Sequence, residues 1–301
     1  MDNQPQRTRW RIPGGGLFAL ALALALPAAA AGTGTENGAA ADPLVVGIFP
    51  RRSPAVTRRM FRPLLDRVAE GLGRPVRLDT PPDFTSFWDR VQKGRYALVH
   101  YNPYHYLRAH RDLGHRVIAR NEEFGRSAIR AAIVVHRDSG ITAIRQLRGR
   151  KVLFGGGPDA MVSYIAATAL LRRAGLAAGD YLEGFALSPP KACIAVYYRQ
   201  AAACGAGDGI LRLRVFRQAV DPDALTILVS GPPLAHLPWA VTAQVDEVTR
   251  RRVRALLTGL GQTRAGREAL EQAGLTGLVA ATDADYDPHR ELVAAILGER
   301  Y

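Results

Sequence analysis

The chain has 301 residues, 48% of them hydrophobic, and a formal charge of +13 with a pI near 10.4. That length exceeds one small domain and suits two lobes of roughly 100–150 residues. The basic residues are spread along the chain, only Lys93, Lys151 and Lys191 are lysines, and no aromatic-interleaved basic motif appears, so a nucleic-acid partner is not expected.

The N-terminus reads as an export signal. Arg7, Arg9 and Arg11 precede the apolar run Leu17–Leu26, too short to span a bilayer, and Pro27 with the alanines to Ala31 supplies a cleavage site. The expectation is a signal peptide over 1–31, a flexible tether over 32–43 and a periplasmic mature protein.

Leu44–Phe49 reads as a strand ending at Pro50, followed by a helix from Ala55 to Gly71 with Val56, Met60, Leu64, Leu65 and Val68 on one face. Pro75–Asp79 is a strand, Phe84–Gln92 a helix, Tyr96–His100 a strand, His105–Leu113 a helix and Arg116–Arg120 a strand. This alternation predicts an α/β fold with a parallel-rich sheet.

The run Ile129–Pro158 reads as strand (Ala131–Val135), turn, short helix (Ile141–Leu147), strand (Lys151–Phe154) and a glycine-rich turn. It lies midway and suits a crossing into a second lobe. Helix Asp159–Ala174, strand Tyr181–Leu187, helix Lys191–Arg199 and strand Ala201–Gly205 follow. Strand Thr226–Ser230 then meets Gly231-Pro232-Pro233, which reads as the return crossing. Trp239–Ala243 is a strand; Asp246–Gly261 and Thr263–Ala273 are helices. The boundaries expected are 44–131 plus 231–301 for lobe 1 and 132–230 for lobe 2, moving as rigid bodies about the crossings near Ala131–Val135 and Ser230–Trp239.

A strand ending Gly-Ile-Phe-Pro, the segments ALVHYNPYHYLRAH and IVVHRDSGITAIRQLRGRKVLF, and the tail ATDADYDPHREL resemble the phosphate/phosphite/phosphonate-type periplasmic substrate-binding proteins of ABC transporters, over about Leu44–Leu297. The resemblance implies a type 2 periplasmic-binding-protein fold: two α/β lobes, two crossing segments and a ligand held between them. In that family a Ser/Thr-rich segment after the second-lobe glycine turn holds the phosphonate oxygens. Here Asp159, Ala160 and Met161 replace it, and a histidine expected further on corresponds to Lys191.

Clefts in open α/β sheets lie at the carboxyl ends of strands. That rule selects Phe49 and Arg51, with Arg52 beside it, for oxyanion capture. It also selects Tyr101, Asn102 and Tyr104, with His105 next along, for donors on a partly apolar wall. Thr85 opens the second helix, as a ligand contact or only as its N-cap. Gly156 and Gly157 allow close backbone approach, and Asp159 can face a ligand amine or cap its helix. Lys191 completes the expected ligand set. His100, His105, His110 and His115 recur every fifth residue but cross from strand to helix to loop, so no metal site is expected. Cys193 and Cys204, an even pair in an exported chain, invite a disulfide. No catalytic constellation or cofactor motif appears.

The reading is therefore a monomeric, non-enzymatic exported protein that clasps a small polar or anionic ligand, a phosphonate-like or amine-bearing oxyanion, for an ABC permease. The alternative is a ligand-sensing module for a membrane sensor kinase.

Overall fold

The computed structural model describes residues 42–301. The expected leader, and the tether up to residue 41, lie outside the described residues. Among the described residues no helix is long and apolar enough to cross a membrane.

The first half alternates strands and helices: β1 (Leu44–Ile48), α1 (Pro54–Leu72), β2 (Val76–Asp79), α2 (Phe84–Gln92), β3 (Leu98–His100), α3 (Pro103–Leu113) and β4 (Arg116–Glu122). The periodic apolar face of α1 is buried through Phe61, Leu64, Leu65 and Val68, and Gly73 ends the helix in the left-handed conformation. The chain then enters β5 (Ala128–His136), β6 (Lys151–Gly155), α4 (Ala167–Arg173), β7 (Leu182–Ala186), α5 (Pro189–Tyr197), β8 (Ala203–Gly207), α6 (Arg214–Arg217) and β9 (Leu225–Ala235). It returns through β10 (Pro238–Val241), α7 (Glu247–Gly259), α8 (Arg264–Ala273), β11 (Gly277–Ala280) and α9 (Asp287–Leu297).

Two sheets result, each the core of a lobe. The first runs β11-β4-β10-β3-β1-β2 and the second β7-β6-β8-β5-β9. The first sheet is parallel where β1 pairs with β2 and β3; the returning β10 is antiparallel to both β3 and β4. The sequence reading of a parallel-rich sheet thus holds for the βαβ half and gives way where β10 is inserted.

The outward crossing sits elsewhere than the sequence placed it, while the return crossing falls inside its expected span. Ala131–Val135 lies inside β5, paired throughout with β8 and, except at a bulge at Ala131, with β9. The outward crossing is 123–127, a tight turn closed by a Glu123–Arg126 bridge with positive φ at Phe124 and Gly125. Gly231-Pro232-Pro233 belongs to β9, where Arg130 opposes Pro233. Because β9 is an edge strand, prolines without an N–H donor are tolerated in it. The return crossing is residues 236–237, at the far end of the expected span Ser230–Trp239.

Two predicted helices also differ. Ile141–Leu147 forms only a 3-10 turn, Ile144–Leu147, because the Gln146 side chain takes the amides of Thr142 and Ala143. The helix expected from Asp159 begins instead as a π-turn, Met161–Ala166, before α4. Its Ile165 N–H reaches back to the Ala160 carbonyl, while the Ser163 hydroxyl donates to the Gly155 carbonyl at 2.7 Å.

Elements late in the chain tie the lobes together. The Tyr286 hydroxyl donates to the His236 carbonyl in the return crossing at 2.8 Å. Arg172 of α4 donates to the Ala295 carbonyl of α9 at 3.0 Å, and Leu292 packs against the cores of both lobes.

Candidate functional site: the interlobe cleft

The carboxyl ends of β1 and β3 face the turn that follows β6. Gly156 and Gly157 adopt φ of 93° and 91°, a region closed to most side chains. The bare turn lies so near the first lobe that a Cβ on Gly156 would stand 3.6 Å from the Phe84 ring. Gly155 is tighter still: a Cβ there would fall 2.0 Å from the Pro189 nitrogen, so glycine is required for α5 to reach β6.

Asn102 joins the lobes and uses both of its donors in doing so. Its Nδ2 donates to the Asp159 carbonyl at 2.5 Å and to His105 Nδ1 at 3.1 Å, and its Oδ1 accepts from the Met161 amide at 3.3 Å. Since His105 Nδ1 accepts, the ring proton sits on Nε2, which points at Asp159 Oδ2 from 3.5 Å. Burial lowers the His105 pKa against the pull of Asp159, so the ring is neutral near pH 7. Asp159 stays ionised: the hydrogen bond from His105 lowers its pKa, and 41% of its side chain remains exposed. The cap of the following π-turn is Ala160, so Asp159 does not cap a helix.

At the crossings stands a second polar group. Arg51 Nη1 lies 3.2 Å from Glu123 Oε1, and His236 Nε2 lies 3.7 Å from Glu123 Oε2. His236 Nδ1 accepts the Leu237 amide at 2.8 Å, which leaves its proton on Nε2, facing the carboxylate. Burial pushes His236 down to about 4. Burial also opposes the Glu123 charge, but Arg51, His236 and Arg52 prevail and its pKa falls below the ordinary carboxylate range. Desolvation and the neighbouring Arg51 lower Arg52 to about 10, which leaves it charged at pH 7. Beneath this group the neutral His100 ring is buried among Phe49, Phe61 and Trp239, at centroid distances of 5.3, 5.5 and 4.6 Å.

The residues selected from sequence divide accordingly. Arg51, Asn102, Gly156, Gly157 and Asp159 meet in or beside the cleft. Phe49 is a buried wall, stacked on Phe84 at 6.1 Å. Thr85 is exposed in the first turn of α2; the cap is Asp83, whose carboxylate accepts the Ser86 amide at 2.7 Å. Tyr101 is withdrawn from the cleft, fully buried with its hydroxyl 2.8 Å from His115 Nδ1. Tyr104 turns towards the chain end, where its hydroxyl donates to Glu299 at 2.8 Å. Both corrections follow from strand and helix geometry: neighbours of Asn102 face other directions, towards the core or along α3. Lys191 is exposed in the first turn of α5, with no side-chain hydrogen bond or ion pair among the described residues. Glu123 and His236 were not found from sequence. Nothing local marks them, since their role comes from two crossings meeting in space.

Behind the second-lobe sheet, Cys193 of α5 and Cys204 of β8 form a disulfide with Cα atoms 5.6 Å apart. Among the described residues, no group of three or more His, Cys, Asp or Glu side chains could hold a metal ion.

A family model described as the periplasmic substrate-binding protein of phosphonate ABC transporters matches residues 46–286. The chain belongs to this family. It is thereby a periplasmic substrate-binding component of an ABC transporter, with a small-molecule ligand and a permease as partner, which favours transport over the kinase-sensor alternative. Solved structures share the fold at low identity. The binding-protein component of a phosphonate ABC transporter from Pseudomonas aeruginosa aligns with a TM-score of 0.74 and 14% identity, covering 85% of this chain and 87% of its own. PhnD1 of Prochlorococcus marinus, solved with methylphosphonate, aligns with a TM-score of 0.75 and 12% identity, covering 85% and 98%. A Xanthomonas citri protein solved bound to ATP aligns with a TM-score of 0.70 and 18% identity, covering 85% and 97%.

Proposed function

We propose that this substrate-binding protein captures a small amine-bearing oxyanion and delivers it to its permease without chemistry. The observation that carries the ligand class is the polarity of the cleft. Asp159 presents a carboxylate whose histidine partner is neutral, while the crossings present Arg51 and Arg52. A dianionic phosphonate placed against Asp159 would be repelled; an ammonium would be attracted. In this reading the leader 1–31 is removed on export and the mature protein is a monomer. The lobes move as rigid bodies about 123–127 and 236–237. Closure is a population shift set by contacts that only the closed form makes, and the Asn102 and His105 contacts to the second-lobe turn are of that kind.

Titration calorimetry with phosphate, phosphite, methylphosphonate and 2-aminoethylphosphonate tests it. The expected result is that the first three bind more weakly than about 10 μM, roughly −7 kcal/mol, and the amine-bearing ligand more tightly. Asp159→Asn should abolish the difference. Submicromolar binding of phosphate or methylphosphonate would overturn the amine requirement. Mass spectrometry of ligand released from denatured, periplasm-derived protein gives the natural ligand directly.

A further inference from the structure

The outward crossing breaks a local rule. Phe124 and Gly125 are the two central residues of a turn closed by backbone hydrogen bonds between Glu123 and Arg126, of 3.0 and 3.1 Å. Both have positive φ, 55° and 73°, the pattern of a two-residue hairpin turn that favours Asn-Gly. Gly125 fits that pattern. Phe124 does not, because a bulky aromatic residue with positive φ strains the backbone. Such strain persists only where surrounding contacts hold it.

The turn is held from both lobes. On the first-lobe side, the Gly125 amide donates to the Thr276 hydroxyl at 2.9 Å, and that hydroxyl donates to Glu122 Oε1 at 2.9 Å. Glu123 pairs there with Arg51 at 3.2 Å. On the second-lobe side, Arg126 pairs with Asp208 at 3.0 Å. The Phe124 ring lies against the next residue, Gly209, where an added Cβ would stand 3.0 Å from the ring. The Arg212 guanidinium covers the same ring, 4.3 Å from its centroid. Gly209 and Arg212 flank Ile210, which is buried in the second-lobe core, so the ring's neighbours belong to that lobe. Phe124 itself is 37% exposed, a surface contact rather than part of either core.

We propose that Phe124 is a positioning residue for ligand capture: its ring is a wedge that couples the strained backbone of the crossing to the second lobe and favours the arrangement in which the lobes meet. In that arrangement the ring sits on Gly209 under Arg212, and its docking offsets the strained φ. Rotation of the lobes apart lifts the ring and lets the backbone relax. Phe124 thereby sets affinity through closure rather than through contact with the ligand, by fixing the share of protein whose lobes are closed. This rests on the rigid-body closure about 123–127 read above, and not on the ligand class.

Small-angle scattering and thermal unfolding of the whole mature chain test it, with no ligand required. Gly209 has a φ of −84°, which alanine adopts, so Gly209→Ala adds only a methyl against the ring. Gly209→Ala and Phe124→Ala should each enlarge the radius of gyration. The two together should enlarge it no further than Phe124→Ala alone, because the methyl then has no ring to push. Phe124→Gly loses the same ring without the strain, so its closed-to-open ratio should exceed that of Phe124→Ala by about fivefold. Arg212→Gln leaves the Gly209 contact and should open the lobes less than Phe124→Ala. A radius unchanged by Gly209→Ala, or additive effects of the two substitutions, overturns the wedge. So does a thermal midpoint that falls while the radius stays fixed, which would make the ring a structural contact only. If Asn102→Ala enlarges the radius and Gly209→Ala does not, the wedge fails and lobe closure stands. If Asn102→Ala, Gly209→Ala and Phe124→Ala all leave it unchanged, closure about the crossing fails as well.

Discussion

The two lobes solve the same packing problem with different materials. The interior of the first lobe adds large rings and polar side chains to an aliphatic layer: Phe87, Trp239, Tyr101, Tyr106 and Tyr286 are fully buried. His100, His105, His115, His236 and His289 are buried with them, all in the first lobe or the return crossing. The second lobe is mainly aliphatic and small: besides Phe154 and Phe216, its core is filled by side chains such as Ile133, Val135, Val152, Leu171, Ala203 and Ala206, and the Cys193–Cys204 bridge pins α5 to β8. Its fit is so close that a Cβ on Gly205 would lie 2.3 Å from the Ser163 carbonyl. Stability of the first lobe therefore depends on keeping its buried rings neutral. Stability of the second depends on covalent closure and on the absence of side-chain atoms.

Mild acid should break this comparison most strongly. Burial lowers His115 and His236 to about 4 and His289 to about 3. Their folded pKa values lie below the unfolded value near 6.5, so the unfolded chain binds more protons in between. Stability is full above pH 6.5 and falls as pH drops from there towards 4. The loss between pH 7 and pH 5 is on the order of 2 kcal/mol for each ring. Urea unfolding at the two pH values should show it, with near-ultraviolet signals of Trp239 lost first. An unchanged midpoint at pH 5 would contradict the neutral-histidine core.

Reduction should act on the other lobe and somewhat less. The bridge spans a separation of 11 residues, for which loop closure contributes about 2–3 kcal/mol. The double substitution Cys193→Ser/Cys204→Ser should lower the unfolding free energy by that amount, read from urea unfolding at pH 7. Two free thiols titrated in denatured periplasmic protein would show that the bridge does not form in the cell.

The smallest effect sharpens the comparison at the contact between the lobes. Asn102→Ala leaves the Met161 amide and the Asp159 carbonyl without their cross-cleft partner. The cost is about 1–2 kcal/mol, charged against the closed arrangement rather than against either lobe alone. Small-angle scattering should show a larger radius of gyration than wild type, with the thermal transition little moved.

The periodic apolar faces by themselves determined most of the elements. Helix α2 begins and ends where its sequence pattern does, and α1, α3, α7 and α8 lie within a residue or two, because amphipathic spacing and terminal glycines are local properties. The disulfide partners and the glycine turn were legible for the same reason: few residues of their kind occur, and their neighbours constrain them. Tertiary structure decided what a residue faces. Tyr101 and Asn102 are adjacent, yet one is buried against His115 and the other reaches across the cleft, a difference set by β10 pairing beside β3. It also decided the crossings, since Gly231-Pro232-Pro233 looks like a break until β9 is known to be an edge strand. The group of Arg51, Arg52, Glu123 and His236 exists only in three dimensions. Its members come from one strand end and two crossings, and no local pattern records charges that meet across some 185 residues of chain.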